Sequence, residues 1–257
     1  MPSEVRHQVD DGQTYPVVRL SGVLDAGSAP AVGAALLHRL AAQPEALVVD
    51  VRELTVGQPG ALTVLSDVAR ATADWPGAHL VLCADGSAAG WIGTGLPIWP
   101  DPQEAFAALG RPSPTHFLSA PLEPAVGAAR RSRELVTEAC ARWDLPELAG
   151  PACIVLTEMV NNVVAHAQTT MTVLLGRHGD TMSVAVRDQS PVIPHFTGSP
   201  VPVTSYGGRG LLLIDSVAQR WGSLAVPDGK VVWAFLDDTD PAHQDVPTTR
   251  MAGPDQG

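Results

Sequence analysis

The first half of the chain alternates two hydrophobic rhythms. "YPVVRLSGVLD" reads as a strand entering a turn, "SAPAVGAALLHRLAAQ" has the apolar spacing of a helix, and "EALVVDV" is a short, nearly continuous apolar strand. "GALTVLSDVARATADW" follows as a helix, "AHLVLCAD" as a strand, and "DPQEAFAALG" as a short helix opened by an Asp cap and closed by Gly. Strands alternating with helices predict an α/β layer of buried, mostly parallel strands over residues 1–110. The next stretch, "RPSPTHFLSAPLEP", holds four prolines, which remove donors and fix φ, so residues 111–124 read as an extended linker.

The second half, residues 125–238, has a different order. A long helix is predicted over 125–142 and a second at "LTEMVNNVVAHA", followed by the strands "TMTVLLGRHG" and "TMSVAVRDQ". A loop rich in Pro and Gly spans 190–208, a helix is predicted at "LLLIDSVAQRWG", and a last strand at "KVVWAFLDD". Helices followed by paired strands imply an α/β sandwich with helices on one sheet face. The polar tail over 239–257 reads as disordered.

Composition narrows the function classes. The chain has 257 residues, 45% hydrophobic and 17% charged, which describes a globular protein. A net charge of −11 argues against a general binder of nucleic acid or anionic membrane, since both need a basic surface. Cys83, Cys140 and Cys153 have neither disulfide-framework nor zinc-ligand spacing. The polar start has no signal-like apolar core, and no apolar run approaches the roughly 18 residues of a membrane span, so a cytoplasmic location is expected. The basic residues are Arg with one exception, Lys230, a bias to which no mechanistic weight attaches.

Three features of the second half carry candidate chemistry. Glu158, Asn162 and His166 are four apart, so on a helix they form one polar stripe on an otherwise apolar element. Asp188 ends the apolar strand "VAVRD", where functional groups are often presented. In "YGGRGLLLID", Gly207, Gly208 and Gly210 precede a helix, where small residues let backbone N–H groups approach an anion. Each alone is compatible with a solvated face, a turn or a loop.

Their combined order resembles the GHKL ATPases with the Bergerat fold, and within them the anti-sigma-factor serine kinases, over about 116–236. The resemblance implies ATP and Mg²⁺ as cofactors. Asn162 would hold Mg²⁺, Glu158 would be the catalytic base, and Asp188 would accept from the adenine amino group. Gly208, Arg209, Gly210 and Leu211 would complete the nucleotide site. The family pattern Asp-x-Gly-x-Gly is replaced by "DQSPVIP", and the lid-like loop is short, proline-containing and without acidic or lysine residues.

The first half resembles the STAS fold of anti-sigma-factor antagonists over about 5–109, on "VVRLSGVLDAGSAPAV", "ALVVDVREL" and "EAFAAL". In that family the loop after the "VVDV"-like strand carries a phosphoacceptor serine. Here Gln58 stands for its Asp, Pro59 for its Ser, Gly60 for the next hydroxyl residue and Ala61 for its Gly, so the loop has no acceptor. Thr55 and Thr63, the nearest hydroxyls, read as strand and helix residues. The resemblance implies a homodimeric, partner-switching transcription regulator. It would bind a sigma factor or phosphorylate a separate STAS antagonist as a serine/threonine kinase, with the front domain tuning access to the site. The alternative is a non-enzymatic scaffold or pseudokinase acting through protein contacts alone.

Overall fold

The computed structural model describes residues 5–42, 45–73, 79–85, 90–112, 116–193 and 209–237. The tail predicted as disordered and most of the loop over 190–208 lie outside these residues. In the first half, β1 (Arg6–Asp10), β2 (Val17–Leu24), β3 (Ala46–Val56), β4 (His79–Cys83) and β5 (Ile98–Trp99) form one sheet in that order. β2 through β5 pair in parallel and β1 closes the edge antiparallel. The parallel layer expected from the pattern is present. β1 and β5 were not anticipated: β1 lies in the polar start and β5 is two residues long, so neither carries a period-2 signal.

Helices α1 (Ala29–Leu40) and α2 (Thr63–Ala71) cover one face of this sheet, burying Val32, Leu36 and Leu40 with Leu65 and Val68. The predicted second helix begins as a 3₁₀ turn, Pro59–Leu62. α3 (Pro102–Leu109) covers the other face, packing Ala105 against Val48, Val81 and Tyr15. Its predicted cap is in place: Asp101 accepts from the Glu104 N–H at 2.9 Å, and Gly110 ends the helix at φ 80°.

In the second half, β6 (Phe117–Leu122), β7 (Met171–His178), β8 (Thr181–Asp188), β9 (Arg220–Val226) and β10 (Gly229–Leu236) form an antiparallel sheet ordered β6-β7-β8-β10-β9. β6 lies within the stretch read as an extended linker. Pro121 is tolerated there because β6 is an edge strand, where a missing donor leaves no ladder partner unsatisfied. The helix predicted at "LLLIDSVAQRWG" ends earlier, as α6 (Arg209–Val217), and its last residues begin β9, whose exposed positions conceal the strand pattern.

Side chains alternate across this sheet. Met182, Val184 and Val186 of β8, with Val232, Ala234 and Leu236 of β10, face inward beneath α4 (Ala128–Trp143), α5 (Ala149–Asn162) and α6. The 22-residue span Pro146–Ala167, which contains α5, has mean hydropathy 1.4 and passes the length and composition test for crossing a membrane. This corrects the reading that no segment does. Its packing against α4, α6 and β8 is that of a central core helix. Three arginines of α4 are engaged along their own helix: Arg130 and Arg131 both bond Glu134, and Arg142 bonds Glu138.

The outward face of the second sheet is also apolar. Leu174, Ala185, Leu224, Val226, Val231, Trp233 and Phe235 form a cluster completed from the first half by Leu37 and by Ala41, which is fully buried. α1 therefore has two apolar faces, one on its own sheet and one on the neighbour's, as expected of a helix apolar nearly all round. At the margin of this contact, Arg187 donates to both oxygens of Asp228 at 2.8 and 2.9 Å and stands 3.1 Å from His38 Nδ1.

His178 sits on the outward face between Phe117 and Phe235, with Nε2 3.1 Å from Ser183 Oγ. Burial, reinforced by the charges of His116 and Arg220, pushes its pKa below the usual histidine value. The unfolded chain therefore takes up this proton first as pH falls through about 6.5, and stability present above that pH is lost on acidification. Urea unfolding at stepped pH is expected to show this loss between about pH 7 and 5, with a shallower slope in His178→Asn. Equal slopes would remove His178 from the linkage.

Candidate functional site

The cavity lies where the helical cover ends. Buried Ala152, Val155, Leu156, Met159 and Val160 fix the rotation of α5, which leaves Glu158 and Asn162 half-buried one turn apart on another face. Beyond Asn162 the backbone widens into a π-type turn, Val163–Ala167, closed by the Gln168 N–H on the Val163 carbonyl at 2.7 Å. Such turns alter the side-chain spacing of a regular helix and occur often at functional sites. His166 is exposed and lines the cavity together with Asn162, so it is not a core histidine.

The cavity has a volume of about 300 Å³. Its walls are apolar: Met159 and Val163 from α5 and its extension, Val186 from β8, Leu211 from α6 and Val232 from β10. Asn162, His166, Asp188, Ser190 and Lys230 supply the polar lining.

Gly210, in the first turn of α6, explains why glycine stands there. A Cβ at this position would lie 2.9 Å from Glu158 Oε2 and 3.6 Å from Asn162 Oδ1, so a side chain here would make the Glu158 carboxylate move, and glycine lets α6 approach without that shift. Gly210 thus stands against Glu158 and Asn162, and Asn162 and Leu211 line the cavity. Gly208 and the side chain of Arg209 lie outside the described residues.

Asp188 and Lys230 close the other boundary. They end the inward rows of β8 and β10 and are direct cross-strand partners. Lys230 Nζ donates to Asp188 Oδ1 at 2.9 Å and to the Ser190 carbonyl at 3.2 Å, while the Ser190 N–H donates to the same Oδ1 at 2.7 Å. Their side chains are 1% (Asp188) and 10% (Lys230) exposed. The sequence reading placed Asp188 as an open acceptor and gave Lys230 no role; here the carboxylate already holds an ammonium. The signal that could have found Lys230 is its uniqueness in the chain, at the inward end of a wholly apolar strand.

The donor set suits magnesium and a phosphate chain at the Asn162 end, where a side-chain carbonyl, a carboxylate and helix-terminal backbone meet. At the Asp188 end the fit to an adenine amino group is limited by Lys230.

In the first half, Gln58 Oε1 accepts from the Ala26 N–H at 3.2 Å, Pro59 opens its 3₁₀ turn, and a Cβ on Gly60 would meet nothing within 4 Å. Thr55 lies in β3 and Thr63 opens α2, its hydroxyl donating to the Gly60 carbonyl at 2.9 Å. Nearby Ser28 is 6% exposed and donates to the Val23 carbonyl. The loop itself therefore presents no hydroxyl.

A five-stranded antiparallel sheet with helices on one face, and a cavity at the helix ends lined by Asn162, Asp188 and Gly210's neighbour Leu211, defines an α/β sandwich of nucleotide-binding type. Residues 121–236 match the histidine kinase-like ATPase domain. An uncharacterized protein from Streptomyces coelicolor is 37% identical over 73 residues, covering 26% of this chain and 67% of its own length. The second half of the chain therefore carries a histidine kinase-like ATPase domain. Similar solved structures include an anti-sigma factor antagonist from Mycobacterium paratuberculosis, 24% identical with TM-score 0.36, covering 42% of this chain and 96% of that one. Another is the RsbU and RsbW domains of Rv1364c from Mycobacterium tuberculosis, 18% identical with TM-score 0.37, covering 49% of this chain and 33% of that one.

Proposed function

We propose that the chain is an ATP-binding regulator that switches protein partners, with its second half acting as a serine/threonine kinase or nucleotide-gated binder toward a sigma factor or a separate STAS antagonist. The observation that carries this reading is the approach of the first turn of α6 to Glu158 and Asn162, with Asn162 and Leu211 lining the cavity. Bound Mg-ATP would supply a transferable phosphoryl group. Phosphoryl transfer depends on positioning and charge neutralisation more than on covalent chemistry by the protein. Asn162 would ligate the metal, the α6 backbone would face the phosphates, and Glu158 would orient an acceptor hydroxyl and take its proton. The apolar walls would exclude competing water.

Calorimetric titration with Mg-ATP tests the binding, and transfer to an isolated STAS antagonist tests the chemistry. Asn162→Ala is expected to weaken binding by about 100-fold, or about 2.7 kcal/mol. Glu158→Ala is expected to bind nucleotide but lose at least about 100-fold in transfer rate. Undiminished transfer in the glutamate variant would remove Glu158 from this role.

A second reading, the scaffold without turnover, is favoured by the Lys230–Asp188 pair and by the front loop without an acceptor. Its signature is a partner affinity that is the same with ATP, with ADP and without nucleotide. In either reading the front unit acts from the far side of the second sheet. α1 lies on the outward face and the cavity on the inward face, so contact through the sheet replaces the expected control of access to the site.

A further inference from the structure

We infer that Lys230 is an internal competitor for the nucleobase: its ammonium balances the charge of Asp188, weakening that carboxylate as an acceptor, and so sets the nucleotide affinity of the cavity. The inference rests on the nucleotide reading above and concerns the same site. On β8 the inward row runs Met182, Val184, Val186, Asp188, and on β10 it runs Leu236, Ala234, Val232, Lys230. Both rows are apolar until their last member, and those two members face each other. Neither polar group is needed to complete the core, which is closed by the residues before them.

The geometry leaves a base the second oxygen of a carboxylate whose charge the ammonium already balances. Asp188 Oδ1 takes both the Ser190 N–H and the Lys230 ammonium. An N–H of an incoming base carries only a partial charge, whereas the ammonium carries a full one, and in a buried site that difference is large. Displacing Lys230 would also separate a buried cation from its carboxylate, the costly direction for any buried ion pair. The ammonium bonds the Ser190 carbonyl as well, so the same contact fastens the chain leaving β8 against the cavity.

Removing the charge while keeping the length should reverse this. In the full chain, Lys230→Met retains the bulk of the side chain without its ammonium, and Lys230→Thr shortens it and leaves a neutral hydroxyl. Calorimetric titration with Mg-ATP is expected to give at least about tenfold tighter binding in both variants than in the parent. The gain should vanish in the double variant Lys230→Met/Asp188→Asn. Thermal unfolding of each variant identifies those that fold, and the two single substitutions differ enough in size that one suffices. Affinity unchanged or weakened in a folded single variant overturns the competition while leaving a nucleotide site in place. No detectable Mg-ATP binding in the parent or in any folded variant overturns the nucleotide reading and this inference together.

Discussion

Replacing Gly229 by alanine is expected to lower the unfolding free energy by about 3–5 kcal/mol, among the largest effects of any single methyl group in this chain. Gly229 opens β10 at φ 150°, a region that L side chains rarely adopt. A Cβ there would overlap the Asp188 carbonyl oxygen and stand 2.7 Å from Gln189 Cα. Both neighbours are backbone, so no side-chain rotation relieves the overlap, and β8 and β10 must separate at the end that bears Asp188 and Lys230. A fall of roughly 10 °C in melting temperature, read by circular dichroism, is the expected outcome. A change within about 0.5 kcal/mol would show that the strand end yields without cost.

Ala41→Asp is expected to undock the two halves while leaving each sheet folded. Ala41 is fully buried against the apolar cluster of the second sheet, and it follows the last turn of α1. An aspartate there would bury a carboxylate among the apolar side chains Leu224, Val226, Trp233 and Phe235, at a cost of several kcal/mol. Relief comes from moving α1 away from the sheet. Small-angle scattering should report a larger radius of gyration, and thermal unfolding should split into two transitions. A single transition at the parent's dimensions would mean that the outward-face contact adds little to the association.

Much of this architecture was legible because periodicity reports burial. The alternation of helix and strand in the first half, the Asp101 and Gly110 helix boundaries, and the two apolar strands ending at His178 and Asp188 all follow from it. β6 and β9 were obscured for a physical reason: they are the edge strands of their sheet, partly exposed, so prolines and polar residues interrupt their pattern. The docking of α1 was not legible, since a helix apolar on two faces reads the same whether its second face meets its own domain or another. Among candidate site residues, Glu158, Asn162, Gly210 and Leu211 were placed together by spacing and resemblance. Lys230 was missed because its partner lies 42 residues away, and its position at the end of an apolar strand does not by itself name that partner.

The two-sided burial of β10 bears on how this protein can be handled. All eight of its residues are buried, half of them beneath the helices and half toward α1. A shortened chain beginning near residue 116 would uncover Trp233, Phe235, Leu224 and Val226 as one contiguous oily surface beside the β9 edge. Exposed apolar surface next to an unpaired strand promotes self-association. The isolated ATPase half is therefore expected to precipitate or pair with itself, and weak activity in such a preparation would report poor solubility before it reported anything about catalysis.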